Sequence, residues 1–77
     1  MEIKVLGTGC AKCKATYEAI EKAIAENGID AGLTKVEEIV EILNAGVMTT
    51  PAVVVDGTVR IRGRVPSESE IKGLLRI

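Results

Sequence analysis

The chain has 77 residues, 47% of them apolar and 27% charged, which fits one small globular domain with a modest core. It holds no His, Phe or Trp and a single Tyr, which excludes imidazole-dependent nucleophile pairs and His-ligated metals and leaves almost nothing to stack on nucleic-acid bases. With 10 basic and 11 acidic residues, no apolar run near the ~18 residues of a membrane span and no signal-peptide pattern at Met1-Glu2-Ile3-Lys4, neither nucleic acid nor membrane is expected as a partner, and a cytoplasmic location is expected.

Glu2–Leu6 is predicted as a strand, with Ile3 and Val5 on one face and Leu6 on the other. Gly7-Thr8-Gly9 breaks it. Over Ala11–Asn27 the apolar spacing becomes helical, through Ala15, Ala19, Ile20, Ala23 and Ile24, and Asn27-Gly28 supplies a stop. Residues 30–35 read as a second strand. Residues 36–45 read as a second helix, with Ile39, Ile42 and Leu43 as its buried stripe and Gly46 as its stop. Ala52–Val55 is a β-branched run suited to a strand covered on both faces. Asp56-Gly57 is a type I′ hairpin signal, and the return strand Thr58–Arg62 is expected to place Val59 and Ile61 on one face and Arg60 and Arg62 on the other, as an edge strand.

Pro66-Ser67-Glu68-Ser69-Glu70 opens a last helix, with Ser67 and Glu70 spaced as a capping box and Ile71, Leu74 and Leu75 as its apolar stripe. The resulting order, β-α-β-α-β-β-α, predicts one α/β domain over residues 1–77: a small mixed sheet that carries helices and ends in an antiparallel hairpin.

Cys10-Ala11-Lys12-Cys13 is the main chemical signal. As a structural staple it is weak: closing so short a loop contributes roughly 2 kcal/mol in the chain-entropy model, against about 4.7 for a loop of about 100 residues. A structural zinc wants four ligands, and this chain offers two thiolates and no imidazole. Redox work fits the position better. The pair follows a strand and a Gly-containing turn and opens a long helix, where unpaired backbone N–H groups and the positive helix end stabilise an anion. Lys12 and Lys14 add positive charge. These influences lower the pKa of Cys10 from its free value of about 8.5. Cys10 is then the attacking thiolate and Cys13, one turn inside, the resolving thiol.

At this point the chain resembles the thioredoxin-like superfamily, and most closely the small archaeal and bacterial glutaredoxin-like thioredoxins, also called redox-active disulfide proteins. The likeness covers nearly the whole sequence. It rests on Gly7-Thr8-Gly9-Cys10-Ala11-Lys12-Cys13 after the first strand, on Gly46-Val47-Met48-Thr49-Thr50-Pro51-Ala52 entering the third, on Asp56-Gly57, and on Gly63 before the last helix. The resemblance implies a four-stranded mixed sheet with three helices and a cis peptide bond at Thr50-Pro51. It also implies a site made of Cys10, Cys13, Thr50 and Pro51, in which the backbone before the proline pairs with an extended partner segment. Its implied activity is thiol–disulfide exchange with protein disulfides, recharged by a reductase or a thiol reductant, with no bound cofactor.

Departures are visible as well. Gly9 stands where thioredoxin proper has Trp, and Ala11-Lys12 replaces the Gly-Pro or Pro-Tyr of the better-known motifs. Gly63-Arg64-Val65-Pro66-Ser67 occupies the place of the acidic pair with which glutaredoxins help hold glutathione, which argues against a glutathione site.

One other reading of the cysteines is a soft-metal module. Small heavy-metal domains place G-x-x-C-x-x-C between a first strand and a first helix, and two thiolates suit Cu(I). Those domains are β-α-β-β-α-β and usually carry Met where this chain has Thr8. A partner-binding domain that kept only the fold is a third reading, against which the intact cysteine pair argues. Tyr17, one turn after Cys13, reads as a half-buried helix residue. Arg60, Arg62 and Arg64 read as a solvated, aggregation-resistant edge, and Glu37, Glu38 and Glu41 as the wet face of the second helix.

Overall fold

The computed structural model describes residues 1–76. Its elements are β1 (Glu2–Leu6), α1 (Ala11–Asn27), β2 (Gly32–Val36), α2 (Ile39–Asn44), β3 (Ala52–Val55), β4 (Thr58–Arg62) and α3 (Glu68–Leu75). The four strands form one mixed sheet in the order β2-β1-β3-β4, with β1 parallel to β2 and antiparallel to β3, and β3 antiparallel to β4. This is the α/β arrangement that the element order predicts and the thioredoxin-like one that the resemblance implies.

The sheet has two unequal faces. On one, Ile3, Val5, Val53, Val55 and Ile61 pack against Ile20 of α1 and Ile71, Leu74 and Leu75 of α3. On the other, Leu6, Ala52 and Val54 meet Ile42 of α2 and Val47. The division of β1 into Ile3 and Val5 against Leu6 follows the period-2 expectation. All four residues of β3 are buried, as a central strand covered on both faces requires. At the hairpin, Asp56 and Gly57 both adopt positive φ (48° and 84°), the geometry of a type I′ turn. The N-terminal strand is fastened there too, since Glu2 N–H donates to Asp56 Oδ1 at 2.8 Å and Asp56 N–H to the Glu2 carbonyl at 2.8 Å.

Four expectations are corrected. The second strand starts and ends later than 30–35, at Gly32–Val36, because Val36 pairs with Leu6 and extends the parallel ladder. That pairing withdraws Val36 from the second helix, which shrinks to the six residues Ile39–Asn44 and buries only Ile42; Ile39 and Leu43 are exposed. On α1, Ala15 is exposed and Thr16 is fully buried, its Oγ1 donating to the Lys12 carbonyl at 2.8 Å. On β4 the register shifts so that Val54 pairs with Val59 while Val53 pairs with Ile61, leaving Arg60 as the extra residue of a bulge. Val59 and Ile61 therefore pack on opposite faces of the sheet, not on one.

Candidate active site at the start of the first helix

β1 delivers the chain to Gly7 at the end of the sheet where β3 begins, because Leu6 pairs with Ala52 across the antiparallel ladder. Both sequence signals, the cysteine motif and Thr50-Pro51, therefore fall at the same end of the molecule. Cys10 is the N-cap of α1, with φ −69° and ψ 164°, and its Sγ accepts a hydrogen bond from the Cys13 N–H at 3.1 Å. A thiol here takes the place of the Ser, Thr, Asp or Asn oxygen that usually caps a helix. The Cys10 carbonyl already accepts the first helical bond, from Lys14 N–H at 3.0 Å.

Cys10 and Cys13 are joined as a disulfide, with Cα atoms 5.0 Å apart. The two cysteines differ in exposure. Cys10 is exposed, whereas Cys13 is 5% exposed and packs under the helix start. The first turn of α1 holds no acidic residue to oppose an anion, and Lys12 and Lys14 are both in it.

Gly7 is the residue around which the site closes. A Cβ placed on it would lie 2.9 Å from Cys13 Cβ and closer still to Cys13 Sγ, and 3.8 Å from Thr50 Cβ. Cys13 and Thr50 thus both border the bare backbone of Gly7. The Thr50-Pro51 peptide bond is cis, Pro51 is fully buried, and Thr49 and Thr50 are exposed. Gly63 holds this segment from behind: its N–H donates to the Pro51 carbonyl at 2.8 Å, and a Cβ there would lie 2.9 Å from Thr49 Oγ1. Cys10, Cys13, Thr50 and Pro51 are accordingly brought together.

Lys12 is exposed and does not line the small cavity beside Cys13. That cavity, about 120 Å³, is bounded by Gly7, Gly9, Cys13, Lys14, Lys35 and Glu37. Lys35 reaches it from the edge strand β2, with its Nζ 4.7 Å from the centre of the half-buried Tyr17 ring. Lys35 and Glu37 lie far from the motif in sequence, and only the parallel pairing of β2 with β1 brings them there. No sequence signal marked Lys35, and Glu37, expected on the wet face of the second helix, instead precedes α2 and borders this cavity. Gly7 did stand in the motif, but as a strand breaker; its role as the contact surface for Cys13 needed the helix to be placed.

Among the described residues, no group of three or more His, Cys, Asp and Glu is gathered as a metal site. The last described element is α3, which departs from the strand-terminated order that the soft-metal reading calls for.

Comparison with known proteins gives the same picture. A family model described as a thioredoxin domain matches residues 1–76. A protein named thioredoxin from Methanothermobacter thermautotrophicus is 44% identical over 75 residues, covering 97% of each chain. Another of that name, from Methanocaldococcus jannaschii, is 45% identical over 74 residues, 96% of this chain and 85% of its own.

Proposed function

The chain belongs to the thioredoxin domain family and is a thiol–disulfide oxidoreductase, and on that premise we propose that Cys10 is its nucleophile and Cys13 its resolving thiol. The observation that carries this assignment is the difference in access: Cys10 is an exposed residue at a helix N-cap, with its Sγ accepting a backbone N–H, while Cys13 is a buried residue. A thiolate at Cys10 has that N–H donor and the positive helix end beside it, and both stabilise an anion there. Lys12 and Lys14 act in the same direction as nearby solvated cations.

Starting from the reduced protein, the Cys10 thiolate attacks one sulfur of a partner disulfide, and the other partner sulfur leaves as a thiolate. Cys13, deprotonated, then attacks Cys10 Sγ. The Cys10–Cys13 bond forms, the mixed disulfide breaks, and the second partner sulfur leaves. Two electrons pass to the partner, and its two thiolates take up protons. The substrates are protein disulfides, and the oxidised protein is returned to the dithiol by a reductase or a low-molecular-weight thiol. The backbone of the exposed residue Thr50, beside Pro51, is the proposed rail for the extended partner segment, because Thr50 and Cys13 both border Gly7. A cytoplasmic location belongs to the same proposal, since a disulfide that cycles in catalysis suits a reducing compartment. No described helix is long and apolar enough to cross a membrane.

The test is covalent trapping. Cys13→Ser, with Cys10 intact, is expected to accumulate mixed disulfides with partner proteins on non-reducing gels, and Cys10→Ser to accumulate far fewer. Equal trapping by the two variants would overturn the assignment.

A further inference from the structure

Six large apolar side chains are exposed among the described residues, and four of them, Ile39 (63%), Val40 (63%), Leu43 (57%) and Met48 (90%), fall on α2 and the segment after it. The same stretch is segregated in charge. Residues 36–51 contain Glu37, Glu38 and Glu41 and no Lys or Arg, a local balance of −3, whereas the rest of the chain carries 10 basic and 8 acidic residues. Burial does not account for this composition, because α2 commits only Ile42 to the core. An aliphatic surface with a collar of carboxylates from its own segment is therefore left facing solvent; Lys4 lies beside Glu41, and Lys14 and Lys35 border the cavity at Glu37.

This surface adjoins the disulfide at both of its chain ends. At one end, Glu37 borders the cavity at Cys13, with its Oε2 3.4 Å from where a Cβ on Gly9 would lie, next to Cys10. At the other, Met48 stands two residues before Thr50, which, like Cys13, borders Gly7. A polypeptide with one cysteine bonded to Cys10 starts out beside Glu37, two residues before α2.

We propose that the exposed face of α2, with Met48, docks the protein whose disulfide is exchanged, and that it selects partner segments carrying aliphatic side chains together with Lys or Arg near the reactive cysteine. The proposal rests on the exchange reading above and specifies its substrates. Aliphatic contacts supply the buried centre of the encounter, and the carboxylate collar steers cationic segments in and opposes anionic ones.

The experiment is a single turnover of the pre-reduced protein with three oxidised probes. One is bis(2-hydroxyethyl) disulfide, too small to span to α2. The other two are synthetic peptides of equal length with one internal disulfide and Leu flanks, the first with added Lys and the second with added Glu. Each peptide rate is divided by the rate of the same protein with the small disulfide. At low ionic strength the Lys peptide is expected to react about tenfold faster or more than the Glu peptide. The advantage is expected to shrink at high salt and in Glu38→Gln/Glu41→Gln. Val40→Ser/Leu43→Ser is expected to slow both peptides in the normalised rate.

Equal rates for the two peptides with the native protein would overturn the proposal, as would an advantage that survives both double variants. Sedimentation showing a self-association that Val40→Ser/Leu43→Ser abolishes would also overturn it, by assigning the patch to a second copy. If the native protein fails to reduce bis(2-hydroxyethyl) disulfide, the exchange reading itself falls and the docking proposal goes with it; selectivity lost while that reduction persists sinks the docking proposal alone.

Discussion

A helix start becomes a redox site here because Gly7 and Gly63 let other groups come close, and their demands differ from those of Gly73. At Gly7 the space a Cβ needs is taken by the Cys13 side chain. Gly7→Ala must push the first turn of α1 outward, an overpacking that costs about 1–3 kcal/mol. It is also expected to slow closure of the Cys10–Cys13 bond after partner attack. Gly73, inside α3, has nothing within 4 Å of its Cβ position. Gly73→Ala is therefore expected to stabilise the protein by about 0.5–1 kcal/mol, through helix propensity alone. Denaturant titration of the two variants checks the contrast in sign; destabilisation by both would mean that Gly73 faces a contact absent from this structure. The cysteines were legible in the sequence because their spacing and their place at a helix start are local properties. Glu37 and Lys35 were not, because each depends on strand pairing across the sheet.

At the scale of the element, α3 was the most legible, since its caps and stripe lie within one short segment. Ser67 Oγ accepts from the Glu70 N–H at 3.2 Å, and the Glu70 carboxylate accepts from the Ser67 N–H at 3.0 Å. The same carboxylate takes a two-pronged hydrogen bond from the Arg64 guanidinium. The Arg64 bond first, and the Ser67 backbone N–H second, pull the Glu70 pKa down from 4.5 to about 2.

A carboxylate depressed on folding contributes stability above its unfolded pKa, and that contribution fades as pH falls through the folded value. Glu70→Gln is therefore expected to melt below the parent near neutrality, with the gap in Tm narrowing between about pH 4.5 and pH 2. The gap is expected to be modest and reduced by salt, because the pair is exposed. Thermal melts across that pH range, in low and high salt, measure it; a gap constant with pH would remove Glu70 as its source. The β4 strand and α2 were less legible for opposite reasons. Strict alternation hides a bulge, since the extra residue Arg60 leaves no mark of its own in the sequence. Helical periodicity over 36–45 hides the fact that Val36 is already held by the parallel ladder and that one buried contact suffices for a short helix.

Taken as a whole, the molecule is lopsided. One face of the sheet is sealed by two helices, to which α1 contributes Ile20 and α3 contributes Ile71, Leu74 and Leu75, while α2 seals the other through Ile42 alone. Burying few apolar groups places an element at the low end of local unfolding free energies. Ile20→Ala removes a side chain that is 1% exposed at the centre of the larger cluster. It is expected to cost about 2–5 kcal/mol of global stability and to speed amide exchange throughout the sheet. Ile42→Ala is expected to act more locally, raising exchange over Ile39–Asn44 and at Val47 while β1 and β3 stay protected. Residue-resolved hydrogen exchange separates the two patterns. If Ile42→Ala instead accelerates β3 as much as Ile20→Ala does, then α2 and the sheet open as one unit. If the two patterns separate as expected, the docking proposal gains a physical basis: α2, held by Ile42 alone, can open while the cysteines, carried by α1 on the larger cluster, stay in place.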